Sequence, residues 1–256
     1  HWHLGFVCFA LGEFAKTRQH LGEMIAFYAP RRHHHPLIMA MGSDAGVSAL
    51  AYDACCLWCL GYPDQAARGA EELLALAREL SHPFTLVYAF YFTAMLRQLC
   101  RETQVVREQQ EAAMRVSRER GFAFYLACTT ALHGWALAWQ GHESADRAQV
   151  SAGIEQMKAA IATLRAGGTL SVLPHALGLL AEVCGRASWI QEALELCDKA
   201  QDLAERAGGG QQLVASCSAC YVNLQKVKQK SSLCPPGPAS SASIHYLYRV
   251  FMPKSS

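Results

Sequence analysis

Two kinds of apolar run alternate along most of this chain. Val47–Leu60, Phe84–Leu96, Phe122–Trp139 and Leu170–Val183 are nearly uncharged. Glu13–Tyr28, Pro63–Leu80, Thr103–Arg120, Ser144–Leu164 and Ser188–Ala207 carry apolar residues on one face and charges on the other. A helix that is apolar all round must be covered on most sides, whereas a charged stripe faces water. The alternation therefore predicts helix pairs, with a buried first helix and a wetter second helix in each. Punctuation agrees. Pro63 opens a second helix, where its missing N–H costs little, and Ser81-His82-Pro83 closes one pair and opens the next. Gly121, Gly167-Gly168 and Gly208-Gly209-Gly210 mark later helix ends.

A finer periodicity sits on top of this pattern. Gly12, Gly61, Cys100, Gly141 and Ser188 read as turn residues within the pairs. Seven positions earlier stand Gly5, Ala54, Thr93, Gly134 and Ala181. Five positions later come Thr17, Ala66, Val105, Asp146 and Ala193, mostly small again. Small residues at fixed offsets are needed where two helices of a pair approach closely. The turn spacings of 49, 39, 41 and 47 residues exceed the ~34 of a strict tetratricopeptide array. The extra residues are expected in the loop Pro30–Asp44 and in the stretch Ala145–Ile154. The expected fold is all-α: a right-handed, tetratricopeptide-like solenoid of about five helix pairs over residues 1–228, with an irregular or disordered tail over 229–256. The tail contains Ser231-Ser232-Leu233-Cys234-Pro235-Pro236-Gly237-Pro238, which cannot continue a helix, and its composition departs from the repeats. A splice or reading-frame junction near residue 226 is the hypothesis for that break.

Composition narrows the function classes. The 256 residues are 52% hydrophobic and carry a formal charge of only +2, without a basic stripe or acidic tail. Nothing in this points to direct nucleic-acid or membrane-surface binding. Eleven cysteines, an odd number lying mostly in apolar helical runs, suit a reducing, cytoplasmic setting better than a disulfide framework. The chain begins His1-Trp2-His3, already inside an apolar pattern, and reads as part of a longer protein. Gly121 to His142 lacks Asp, Glu, Lys and Arg, yet Thr129, Thr130, His133, Gly134 and Gln140 make it polar for a bilayer span. A buried inner helix explains it better.

Candidate chemistry is thin. His33-His34-His35, with His20 nearby, offers imidazoles for a divalent metal, but adjacent residues rarely converge on one ion and Arg31-Arg32 would repel it. Cys56-Leu57-Trp58-Cys59 and Cys217-Ser218-Ala219-Cys220 are C-x-x-C pairs. The first lies near the end of an apolar helix, not at the helix N-terminus that lowers a thiol pKa. Core packing is the simpler reading of both, and no metal or cofactor is expected. There is no G-x-x-x-x-G-K-[ST], G-x-S-x-G or H-E-x-x-H run, so no catalytic residues are assigned. In tetratricopeptide geometry the positions 13, 10, 6 and 3 before each turn residue line the inner groove. Among them are Trp58, Phe90, Arg97, Trp135, His175 and Glu182. Aromatic and Arg anchors are frequent hot-spot residues, so these six form the expected binding surface.

Four stretches carry a family resemblance. They are Gly42-Ser43-Asp44-Ala45-Gly46-Val47-Ser48, Leu57-Trp58-Cys59-Leu60-Gly61-Tyr62-Pro63-Asp64-Gln65-Ala66, Ala75-Leu76-Ala77-Arg78-Glu79-Leu80-Ser81-His82-Pro83-Phe84, and Gly134-Trp135-Ala136-Leu137-Ala138. Roughly from Leu4 to Ala207, the chain resembles the C-terminal tetratricopeptide-like region of large bacterial signalling ATPases. In those proteins a P-loop module precedes the repeats, often with a class III adenylate/guanylate cyclase domain ahead of it. The resemblance implies a non-catalytic interaction or regulatory region. Its partner would be a protein segment or the protein's own upstream ATPase module, which would also hold any ATPase or cyclase activity. Related repeats end some helix-turn-helix transcription activators, so a sensor region of such an activator is the alternative. A metal- or redox-active Cys/His protein is a third reading, of another class.

Overall fold

The computed structural model describes residues 1–29 and 43–206. Ten helices lie among them: α1 (Trp2–Ala10), α2 (Phe14–Phe27), α3 (Ala45–Cys59), α4 (Pro63–Leu80), α5 (Pro83–Leu99), α6 (Thr103–Arg120), α7 (Ala123–Glu143), α8 (Arg147–Ala166), α9 (Leu173–Arg186) and α10 (Ile190–Arg206). The fold is all-α, five helix pairs in a solenoid, and no strand occurs among the described residues. His33–His35, most of the Pro30–Asp44 loop, the last part of the expected solenoid over 207–228 with its Cys217/Cys220 pair, and the expected tail over 229–256 lie outside those residues.

Each helix packs on the next, and each odd helix also touches the following odd helix. The odd helices thus form a continuous layer, with the even helices laid over it. Burial follows the sequence pattern. Ten or more residues are buried in each of α3, α5, α7 and α9, whereas α4 and α6 keep charges outward and bury Ala66, Ala70, Leu73, Leu74, Ala77 and Val106, Gln110, Ala113, Met114. The uncharged stretch at 121–142 is α7, covered on both sides by neighbouring pairs. No helix among the described residues is long and apolar enough to cross a membrane.

Each turn that lies wholly among the described residues contains one residue in the left-handed region. Within the pairs these are Gly12, Gly61, Arg101, Ala145 and Ser188, and between pairs they are Ser81, Gly121 and Gly168. The structure therefore shifts two of the expected turn residues. In the third pair the turn centre is Arg101, one residue after Cys100. In the fourth it is Ala145, because α7 continues beyond Gly141 to Glu143. The insertion in this repeat is thus an extension of the first helix, not extra residues within Ala145–Ile154.

With these centres the offsets become regular. Seven residues before them stand Gly5, Ala54, Ala94, Ala138 and Ala181; five after them stand Thr17, Ala66, Val106, Val150 and Ala193. All ten are buried. Gly141 misleads as a turn residue because its smallness serves packing. A Cβ on it would lie 2.7 Å from the Val150 nitrogen and 3.0 Å from the Asp146 carbonyl oxygen, both across the turn.

The stretch 42–48 explains itself locally. Asp44 is fully buried and caps α3, its Oδ1 accepting the Val47 N–H at 2.9 Å. Its Oδ2 accepts the Tyr28 hydroxyl at 2.6 Å, which ties the end of α2 to the start of α3. Ser43 and Ser48 share a 3.0 Å hydrogen bond. Gly46 is required because the Tyr28 ring occupies the space of a Cβ.

Candidate functional site

One connected group of polar and aromatic side chains spans the third, fourth and fifth pairs. It starts at the Arg101 turn. With a φ of 62°, Arg101 holds a backbone conformation that costs an L-residue about 1 kcal/mol. That conformation accompanies a side chain directed along the odd layer. Its guanidinium lies 4.4 Å from the Trp139 ring centroid and 5.7 Å from that of Trp135. It ends in a two-pronged ion pair with Glu182 of α9, 81 residues away, one prong at 2.9 Å. Paired, forked hydrogen bonds of this kind are the stronger class of ion pair.

The same carboxylate accepts the indole N–H of Trp135 at 3.0 Å. Trp135 and Trp139 stand one helical turn apart on α7, ring centroids 5.3 Å from each other. Trp139 donates its N–H to Glu143 at 3.0 Å and carries the Arg186 guanidinium 4.0 Å from its centroid. Two cations over one indole place a large electrostatic demand on its face. Arg186 Nε is buried and has no hydrogen-bond partner. Beside it, His142 Nε2 donates to the Val183 carbonyl at 3.3 Å. Burial, with the Arg186 charge adding to it, lowers the His142 pKa, while the carbonyl bond works in the other direction.

The six residues expected to line the groove divide over this geometry. Trp135 and Glu182 meet directly, and His175 lies in the same odd layer on α9. His175 is almost wholly buried, and burial lowers its pKa to about 4. It lines, with Tyr91, Cys128, Ala131 and Leu179, a cavity of about 10 Å³, at the lower limit for one water. Trp58 is half-buried at the end of α3. Arg97 faces the second helices, with ion pairs to Glu71 of α4 at 3.0 Å and Glu102 at 3.0 Å. Phe90 is buried, and its carbonyl accepts the Gln110 amide of α6 at 3.1 Å. The one-residue shift of the third turn moves the corresponding inner positions to Tyr91 and Gln98. Arg101, Trp139 and Arg186 were missed, although the Trp-x-x-x-Trp spacing from 135 to 139 was available as a signal.

The C-x-x-C pair on α3 divides: Cys59 is exposed at the helix end, and Cys56 has the electrostatics of a core. Cys56 is fully buried, and burial pushes its thiol up to about 12, with Asp53 and Cys59 adding to the effect. A redox thiol requires the opposite shift.

In overall shape the chain is similar to the crystal structure of BtubC (BKLC) from P. vanneervenii. The identity is 14% and the TM-score 0.51, over 89% of this chain and 96% of that one. The likeness is one of fold. No protein-family model and no curated protein matches the chain.

Proposed function

We propose that this chain is a non-catalytic interaction and regulatory region of a multidomain signalling ATPase or nucleotide cyclase. The observation that carries the reading is the solenoid itself, whose odd layer brings Arg101, Trp135, Trp139, Glu182 and Arg186 from three successive pairs onto one side chain network. Stacked pairs offer long surfaces for protein segments; the two indoles are themselves buried and hold the layer in shape, and the arginines are the hot-spot residue type left at its edge. Arg186, half-buried over the Trp139 ring, favours a segment that supplies a carboxylate to the exposed part of its guanidinium. The resemblance at residues 42–84 supports the upstream ATPase module as the occupant, held in one nucleotide state and released in another.

The test starts from the reading frame upstream of His1. It should encode a P-loop module. That module, expressed alone and then mixed with this chain, should change its ATP hydrolysis rate by about fivefold or more, since couplings of 1–3 kcal/mol span roughly 5–150-fold. Arg186→Glu should abolish the change without unfolding the chain. A frame without a P-loop, or a module that neither binds nor responds, overturns the reading.

A further inference from the structure

Outside that network, the first pair brings three metal-ligating side chains together. We propose that His1, His20 and Glu23 form a binding site for a divalent zinc ion. Their donor atoms all lie within 4.8 Å of one another. His1 Nδ1 is already 2.8 Å from Glu23 Oε2, and the His1 and His20 rings are 6.1 Å apart between centroids. His20 and Glu23 stand three residues apart on α2, so they project from one face of the helix. The His1 backbone is anchored because its carbonyl accepts the Gly5 N–H at 2.8 Å, while its side chain takes no part in capping α1.

The independent sign of a ligand is at His20. Its Nδ1 is buried and has no hydrogen-bond partner. A buried imidazole nitrogen left unpaired carries a desolvation cost that a metal or a proton donor would remove. Two imidazoles and one carboxylate are a set that zinc accepts with a solvent molecule in the fourth position. Tetrahedral bonds of about 2.1 Å need donors about 3.4 Å apart, so the His1–Glu23 pair opens slightly from 2.8 Å while separations of up to 4.8 Å close modestly. The ion would connect the start of α1 to the middle of α2, and so staple the pair that closes one end of the layer. The site is independent of the proposed function.

The experiment uses the full chain of 256 residues, free of any polyhistidine tag and stripped with chelator. Zinc is titrated in competition with a chromophoric chelator, and melting temperature is followed in parallel. Expected is one zinc per chain with a Kd in the micromolar range or tighter, and a raised melting temperature. Glu23→Gln and His20→Ala should each weaken binding about tenfold or more, and both should melt like the parent when metal-free. His33→Ala combined with His34→Ala and His35→Ala should bind as the parent does. No binding at about 100 μM zinc overturns the proposal. So does binding that survives Glu23→Gln but disappears with the triple histidine variant, because the loop imidazoles would then be the ligands.

Discussion

His175 shows how one buried side chain sets a property of the molecule. Its folded pKa of about 4 lies below the ~6.5 of an exposed histidine because burial disfavours the imidazolium. Between those two values the unfolded chain binds the proton and the folded chain does not. Stability contributed by the neutral ring is therefore complete above about pH 6.5 and is lost as pH falls towards 4. The full loss from this group is about 3 kcal/mol. Denaturant unfolding of the parent and of His175→Leu at pH 7, 5.5 and 4.5 measures it. The Leu variant should lose markedly less stability on acidification; parallel losses would mean that the ring is not buried as described. Little of this was readable from composition. A histidine in an apolar run is visible in the sequence, but its burial depends on Tyr91, Cys128 and Leu164 arriving from other helices.

At the scale of helices, close approach decides which glycines are needed. Gly153 of α8 faces Gly134 of α7, and a Cβ at 153 would stand 2.5 Å from the Gly134 carbonyl oxygen and 2.6 Å from the Ala138 nitrogen. Both are backbone atoms, so a small side-chain movement cannot relieve the contact. Gly153→Ala should destabilise by about 1–3 kcal/mol, read as a lower denaturant midpoint. Gly22, with open space around its Cβ position, is the control, and Gly22→Ala should be neutral or slightly stabilising. The alternating uncharged and amphipathic runs made the pairs legible. Small residues showed that helices approach each other but not which role each small residue plays. Gly141 and Cys100 both looked like turn centres, whereas the chain places a left-handed Ala145 and Arg101 there. The first helix of the fourth pair runs on past Gly141 to Glu143, and no local signal states where it stops.

Across the whole molecule, contacts are almost entirely between successive helices and successive odd helices. Such an array behaves like a row of coupled springs, and its bending is ordinarily set by one junction at a time. Arg101 departs from that rule. It leaves the third pair, passes the indoles of the fourth and ends on a carboxylate of the fifth. Arg101→Ala should raise amide exchange in α7 and α9 while leaving α3 and α4 unchanged, and the measurement is hydrogen exchange by mass spectrometry. Uniform exchange along the chain would mean that the link carries no strain. The mechanical consequence is an uneven rod. Pairs three to five are tied across two junctions and keep a nearly fixed curvature, while the first two pairs bend about single junctions, so a pull on this protein is taken up at the end that carries His1.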